Sequence, residues 1–273
     1  MTENLLRSYA KRIPFLVSIV QASRQRRKMK RRSKQPPYPF TRKQWQDHSK
    51  PDEMRRQQAL NLLDYTKTSG TAYAARKCPA GYHEITIHGE TFAGQRSPQE
   101  RLQHIPIDFH GKSLLDIGCN QGGMIFALQE QVKWAVGVDY DYKMINACNF
   151  INNAFGTPES RFYVFDIDKD PHDLLLDFLP ENRVDIVFLL AVCMWVKNWR
   201  DLIRFCARIS DQMVFETNGT DKQQRDQIKF LNETYSWVKL LSSSSSDDDA
   251  RNKRQLLIAS NNRANTGAVG LAS

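Results

Sequence analysis

Through the second half of the chain, strand-length apolar runs alternate with stretches of helical period. Apolar runs fall at 113–117, 134–139, 161–166, 184–192, 212–217, 236–241 and 254–259. Helical patterns at 122–131, 141–153, 170–178, 199–209 and 221–233 lie between the first six. Strands that alternate with helices predict a parallel sheet with helices on both faces. The last two runs, Trp237-Val-Lys-Leu-Leu and Gln255-Leu-Leu-Ile-Ala, are joined by Ser242–Asp249 with no helical pattern. A terminal hairpin that adds an antiparallel edge strand is the simple reading.

Upstream the pattern is less regular. Residues 51–67 open on Pro51-Asp52-Glu53 and place apolar residues at Met54, Ala59, Leu60, Leu62 and Leu63, which predicts a helix with a proline and acids in its first turn. Tyr82-His-Glu-Ile-Thr-Ile-His-Gly alternates as one short strand ending at Gly89, and Gly94–Arg101 reads as a turn into a helix covering one edge of the following domain. The organisation is then a basic amphipathic arm at 1–40, an extension at 41–110 that covers the site, a main domain at 111–260, and a disordered tail at 261–273.

The most informative segment is Lys112-Ser-Leu-Leu-Asp-Ile-Gly-Cys-Asn-Gln-Gly-Gly123. An apolar strand carries Asp116 near its end, turns at Gly118, and reaches Gly122 and Gly123 before a new apolar segment. Such a strand–turn–helix admits a nucleotide-like ligand, since glycines let the backbone approach closely. Asn120 stands where the middle glycine of a dinucleotide fingerprint would be, and no Lys-Ser/Thr pair follows, which excludes a P-loop. An acid at the strand tip repels a phosphate and suits an ammonium group. The next strand ends in Asp139-Tyr140, 21 residues after Gly118. A carboxylate there accepts from both ribose hydroxyls, a demand shared by NAD and other adenosine ligands.

These segments resemble motif I and the following acid of class I S-adenosylmethionine (SAM)-dependent methyltransferases. The resemblance implies a Rossmann-like seven-stranded α/β sheet, six strands parallel and one antiparallel, preceded here by the helical and basic N-terminal extension. It implies SAM as cofactor, with Asp116, Gly118, Cys119, Asn120 and Gly122 around its methionine end and Asp139 with Tyr140 at its ribose. Asp166 is then placed at the adenine amino group and Ile167 on the ring; capping of the helix before Pro171 by Asp166 or Asp168 is the alternative. Cys119 and Asn120 depart from the family, where a small residue and a second glycine are usual. In finer detail, Gly94-Gln-Arg, Leu115–Met124 and Met144-Ile-Asn-Ala resemble a loose bacterial group. Its members act on tRNA wobble bases, surface glycans or small molecules.

On that frame Trp195 and Trp199 wall the acceptor pocket with Met194 beside them, helix packing being the alternative favoured for Trp199; Glu216 and Asn218 contact the acceptor or, alternatively, cap the helix at 221–233. Methyl transfer needs alignment and exclusion of water, and a general base only where the acceptor keeps its proton. His83, His88 and Glu216 are the candidates, and none has a decisive spacing. Arg96 and Arg101 either bind the cofactor carboxylate or an anionic acceptor, or cap a surface helix.

Charge separates the arm from the body. Residues 1–40 hold eleven Lys/Arg against Glu3 alone, although the whole chain carries +9. The longest apolar run of the arm, Ile13 to Val20, is far below the roughly 20 residues of a membrane span. A short basic amphipathic segment suits an anionic membrane surface or an RNA backbone, or is simply solvated. The basic run at 24–32 opposes export, and the five cysteines lack paired spacing, which argues against a zinc or iron–sulfur site and a disulfide framework. The expectation is a metal-free, reduced cytoplasmic protein, alternatively peripheral at the inner membrane face. It transfers methyl to an oxygen or nitrogen of an unidentified acceptor, either a saccharide or lipid-linked glycan, or RNA. A nucleotide-binding Rossmann protein without transferase activity is the reading from another class.

Overall fold

The computed structural model describes residues 51–69, 78–245 and 253–261. The chain divides after Met54, and the fold is that of the second unit, Arg55–Ser273. The arm at 1–40, the residues to 50, and all but the first residue of the tail at 261–273 lie outside the described residues.

Helix α1 (Pro51–Thr66) precedes four short strands, β1 (Gly81–His83), β2 (Ile85–Ile87), β3 (Glu90–Phe92) and β4 (Gly94–Arg96), and helix α2 (Pro98–Leu102). The regular part follows as β5 (Ser113–Ile117), α3 (Gly123–Leu128), β6 (Trp134–Asp139), α4 (Tyr142–Phe155), β7 (Ser160–Val164), α5 (Leu174–Phe178) and β8 (Ile186–Leu190). A 3-10 turn (Cys193–Trp195), α6 (Trp199–Ile209), β9 (Gln212–Glu216), α7 (Asp221–Thr234), β10 (Trp237–Ser242) and β11 (Leu256–Ser260) complete it.

The seven-stranded sheet has the order β10-β11-β9-β8-β5-β6-β7. Strands β5 to β9 pair in parallel, and β11 is antiparallel to both β9 and β10. The reversed strand is therefore inside the sheet, not at its edge as the sequence reading had it, and β10 runs with the parallel set but pairs only with β11. The side chains explain the order. Leu256-Leu-Ile-Ala-Ser is buried throughout, whereas β10 leaves Lys239 and Leu240 exposed. A strand that is apolar on both faces goes inside, and a lysine-bearing strand is tolerated at an edge.

Two apolar layers sandwich the sheet, as period-two alternation requires. Leu114, Ala135, Ile186, Phe188, Val214 and Leu256 pack toward α3, α4 and the N-terminal segment. Leu115, Ile117, Val136, Val187, Met213 and Phe215 pack toward α5, α6 and α7.

The N-terminal segment departs from expectation in two respects. Residues 82–89 form two strands, because Glu84 N–H bonds Arg96 O at 2.8 Å while β1 pairs with β4, and β2 then turns at His88 and Gly89 to pair with β3. The segment also covers a face: Ile85, Ile87 and Phe92 join Ile125, Phe126 and Leu128 in one core. Ser97 caps α2 by accepting from Gln99 N–H, with Pro98 at its first position. Close approach fixes Gly123, where an added Cβ would stand 2.6 Å from His83 Cβ. Gly123→Ala is expected to cost about 1–3 kcal/mol by overpacking, measurable as a lower urea midpoint with an unchanged slope.

Candidate functional site

The carboxyl ends of β5, β6, β8 and β9 meet the glycine-rich turn. Gly118 and Gly122 take φ of 81° and 73°, and Asn120 takes 52°. Asparagine tolerates this left-handed region better than other non-glycine residues, so Asn120 does locally what the usual glycine does. Its Oδ1 accepts from Gln121 N–H at 2.9 Å. Gly118 also leaves room for Val192, whose Cγ2 lies 2.6 Å from where a Cβ would be. Cys119 is buried, so only its backbone is presented at the turn.

Asp139 Oδ2 accepts from Asn120 N–H at 3.0 Å and Oδ1 from Asp141 N–H at 2.9 Å. The acid at the tip of β6 thus clamps the turn after β5. Burial raises the Asp139 carboxyl above its usual range, and these backbone donors oppose the shift. Tyr140 beside it is 56% exposed. Asp116 is 2% exposed and accepts no hydrogen bond from the described residues. Desolvation pushes its carboxyl up to about 7, with Arg101 pulling it down and Asp139 pushing it up.

A buried ion cluster, which the sequence did not reveal as a unit, lies over the same strand ends. Glu216, the last residue of β9, is 2% exposed and meets Arg101 Nη2 at 2.5 Å and Arg96 Nη2 at 3.8 Å. Arg96 Nη1 donates to Tyr82 Oη at 3.3 Å, and its Nη2 donates to Ser245 Oγ, which in turn donates to Glu216 Oε1 at 3.0 Å. Arg96, Arg101, His104, Glu216, Ser245 and Leu256 border a cavity of about 440 Å³. Neither arginine is a surface cap.

His83 is buried against Gly123 behind the glycine turn. His88 is removed from the site: its Nδ1 contacts Phe155 O and its Nε2 faces Glu130 at 3.7 Å, beyond the C-terminal ends of α4 and α3. Helices between parallel strands run back, so those ends lie at the opposite edge of the sheet from Asp116. Asp166 binds Lys169 Nζ at 2.6 Å and Asp168 N–H at 3.1 Å, holding a turn at 166–170, and the bond to Lys169 lowers its carboxyl. Helix α5 begins only at Leu174, so Asp166 and Asp168 do not cap it. Asp168 instead accepts from Lys197 and Asn198 N–H at 2.8 and 3.2 Å. Ile167 packs on the α5–α7 side of the core.

Trp195 is 58% exposed on the 3-10 turn, with Met194 exposed beside it. Asn218, expected on the pocket wall, is buried and holds that turn instead. Its Oδ1 accepts from Met194 N–H at 2.9 Å and its Nδ2 donates to Ala191 O, which secures Ala191 at φ 59°. Trp199 packs edge-on against Phe230 at 5.5 Å. Burial pushes the Cys193 thiol up, away from nucleophilic use. Missed altogether was the end of α1. Gln121 Nε2 donates to Thr66 Oγ1 at 2.6 Å, Lys143 Nζ to Thr68 Oγ1 at 2.9 Å, and Ser69 Oγ to Asp141. Buried glutamine next to the glycines was the one signal for it.

Residues 115–212, from β5 into β9, match the sequence model described as a methyltransferase domain. Over that stretch the chain is similar to methyltransferases that use SAM. Solved structures with the same fold include EvdMO1, with 14% identity and TM-score 0.55 over 77% of this chain and 47% of that one. The N-terminal domain of EvdMO1 in the presence of SAH (S-adenosylhomocysteine) and D-fucose matches with 13% identity and TM-score 0.55, covering 75% of this chain and 96% of that one. The bifunctional kinase-methyltransferase WbdD matches with 20% identity and TM-score 0.54, over 74% and 46% of the two chains. The chain spans about half the length of full EvdMO1 and WbdD. No curated protein sequence matches it.

The residues present fit SAM. A buried carboxylate without a hydrogen-bond partner, Asp116, suits the ammonium of its amino acid, the glycine turn suits close approach, and Asp139 suits a ribose. Among the described residues no cluster of His, Cys, Asp or Glu is arranged to hold a metal ion, and no helix is long and apolar enough to cross a membrane.

Proposed function

We propose that the chain is a SAM-dependent methyltransferase acting on an oxygen or nitrogen of a polar acceptor, a saccharide or lipid-linked glycan. Asp116 carries the reading. A carboxylate is costly to bury without a partner, and a cationic amino acid at the turn relieves that cost. When bound, SAM supplies an electrophilic methyl on a sulfonium. The chain's own part is alignment: Asp116 and the turn 118–122 hold the amino-acid end, Asp139 the ribose, and Trp195 with Met194 stands over the neighbouring strand end.

The saccharide reading is supported by the polar cavity at Arg96 and Glu216. The D-fucose present with the similar N-terminal domain of EvdMO1 is consistent with it. Eleven Lys/Arg within 1–40 support the second reading, RNA, and equally a site at the inner membrane face of the cytoplasm. Deleting 1–40 is expected to weaken association with anionic vesicles, or with tRNA in a steeply salt-dependent way; unchanged association with both excludes a role for the arm. SAH at a hundredfold excess over its Kd is expected to raise the melting temperature by about 5 °C or more. A shift with NAD and none with SAH overturns the methyltransferase reading in favour of a nucleotide-binding protein.

A further inference from the structure

We propose that the cavity beside Glu216 is the acceptor subsite and that it takes an alcohol hydroxyl of a neutral saccharide rather than an amine or an anion; this rests on the methyltransferase reading. The clue is the hydroxyl already there. Ser245 Oγ donates to Glu216 Oε1 at 3.0 Å and accepts from Arg96 Nη2. Only a group that both donates and accepts can satisfy the two neighbours together. An ammonium donates only and would leave Arg96 Nη2 without an acceptor. A carboxylate or phosphate accepts only and would face Glu216.

The surroundings are built to hold that geometry. Arg101 fixes Glu216 Oε2 at 2.5 Å, which leaves Oε1 for the hydroxyl, and Tyr82 steadies Arg96 at 3.3 Å. Both arginines and Glu216 are buried, so their orientations are set by packing. The cavity of about 440 Å³ accommodates one or two sugar rings, and Ser242, Ser244 and Gln103 add polar groups to its wall. Ser245 holds the position until a sugar hydroxyl exchanges with it. In the transfer, the sugar oxygen bonds to the methyl carbon and the methyl–sulfur bond breaks with its electron pair on sulfur. The hydroxyl proton passes to Glu216 Oε1, and water removes it.

The test uses the full chain saturated with methyl-labelled SAM, offered D-fucose, D-glucose, D-glucosamine and bulk tRNA. The expected product is a labelled sugar methyl ether. Glu216→Gln should lower turnover about 100-fold with the SAH Kd unchanged. Because Glu216→Gln removes charge from a buried cluster, Ser245→Ala provides the second arm. Removing the competing hydroxyl should lower the sugar KM about threefold, again with an unchanged SAH Kd. Label on the glucosamine nitrogen or on tRNA, no labelled sugar despite normal SAH binding, or a Ser245→Ala KM that is unchanged or raised overturns the proposal. Loss of SAH binding in the unmodified protein would instead overturn the methyltransferase reading itself.

Discussion

Arg101→Met is expected to lower the free energy of unfolding by about 3–5 kcal/mol, because removing one partner of a buried pair leaves the other charge uncompensated. Glu216 would keep only Arg96, at 3.8 Å, and the Ser245 hydroxyl. Arg101 is 5% exposed, so water cannot replace it without opening the cluster. Arg101→Lys should lose less, since the charge survives although the planar fork does not. The double variant Arg101→Met/Glu216→Leu should recover much of the loss, as replacement of a whole buried pair by apolar groups often does. Urea denaturation of wild type, Arg101→Met, Glu216→Leu and the double variant gives the coupling; an Arg101→Met midpoint equal to wild type would mean that the pair is not sequestered from solvent. Arg101 also pulls the Asp116 carboxyl down, so the stable conservative variant should need a higher pH than wild type for full SAH binding if its charge sits farther from Asp116.

Asp139→Ala is expected to weaken SAH binding about 100-fold or more, since hydrogen bonds to a charged acceptor contribute about 1.5–3 kcal/mol each. The loss has two sources. The ribose hydroxyls lose their acceptor, and the turn loses the bonds to Asn120 and Asp141 N–H at 3.0 and 2.9 Å. Asp139→Asn retains one carbonyl acceptor and should fall between. Calorimetric titration measures the affinity, and a parallel urea curve shows whether the apoprotein remains folded. A Kd within threefold of wild type for Asp139→Ala would remove Asp139 from the site.

Strands 113–117 and 134–139 and helix 199–209 were read with the bounds they have. Each is decided by local pattern: the strands are apolar on both faces, and the helix has one sharply apolar stripe. Strand order is not local. Nothing within Trp237–Ser242 or Leu256–Ser260 states which pairs with β9, although the buried run of β11 and Lys239 of β10 point that way in hindsight. The single strand expected at 82–89 failed because its break at Glu84 depends on Arg96, another non-local partner.

The site divides along the same line. Asp116, Asp139 and the glycines were legible because a strand end and its turn lie within a dozen residues of sequence. The Arg101–Glu216 pair spans 115 positions, and the contact of Gln121 with Thr66 spans 55; sequence separation conceals both. His88 was misplaced because a histidine on an alternating strand carries no information about which end of the sheet its turn will reach. Asn218 was expected to touch the acceptor, yet its amide is used to hold the backbone of the turn at 191–195. Asn120 was noted as a departure from the family, and its φ of 52° shows how the departure is accommodated.

The central claim is that the turn between Asp116 and Asp139 holds an adenosyl amino acid. Calorimetric titration of the full chain with SAH between pH 8 and pH 6 tests it most directly. The ionised Asp116 carboxylate attracts the ligand ammonium and the protonated acid does not, so binding should be tight at pH 8. With the carboxyl titrating near 7, the Kd should rise about fivefold from pH 7 to pH 6. Asp116→Asn should bind more weakly and lose that dependence on pH. SAH that fails to bind at any pH, or that binds wild type and Asp116→Asn with the same Kd throughout, contradicts the claim.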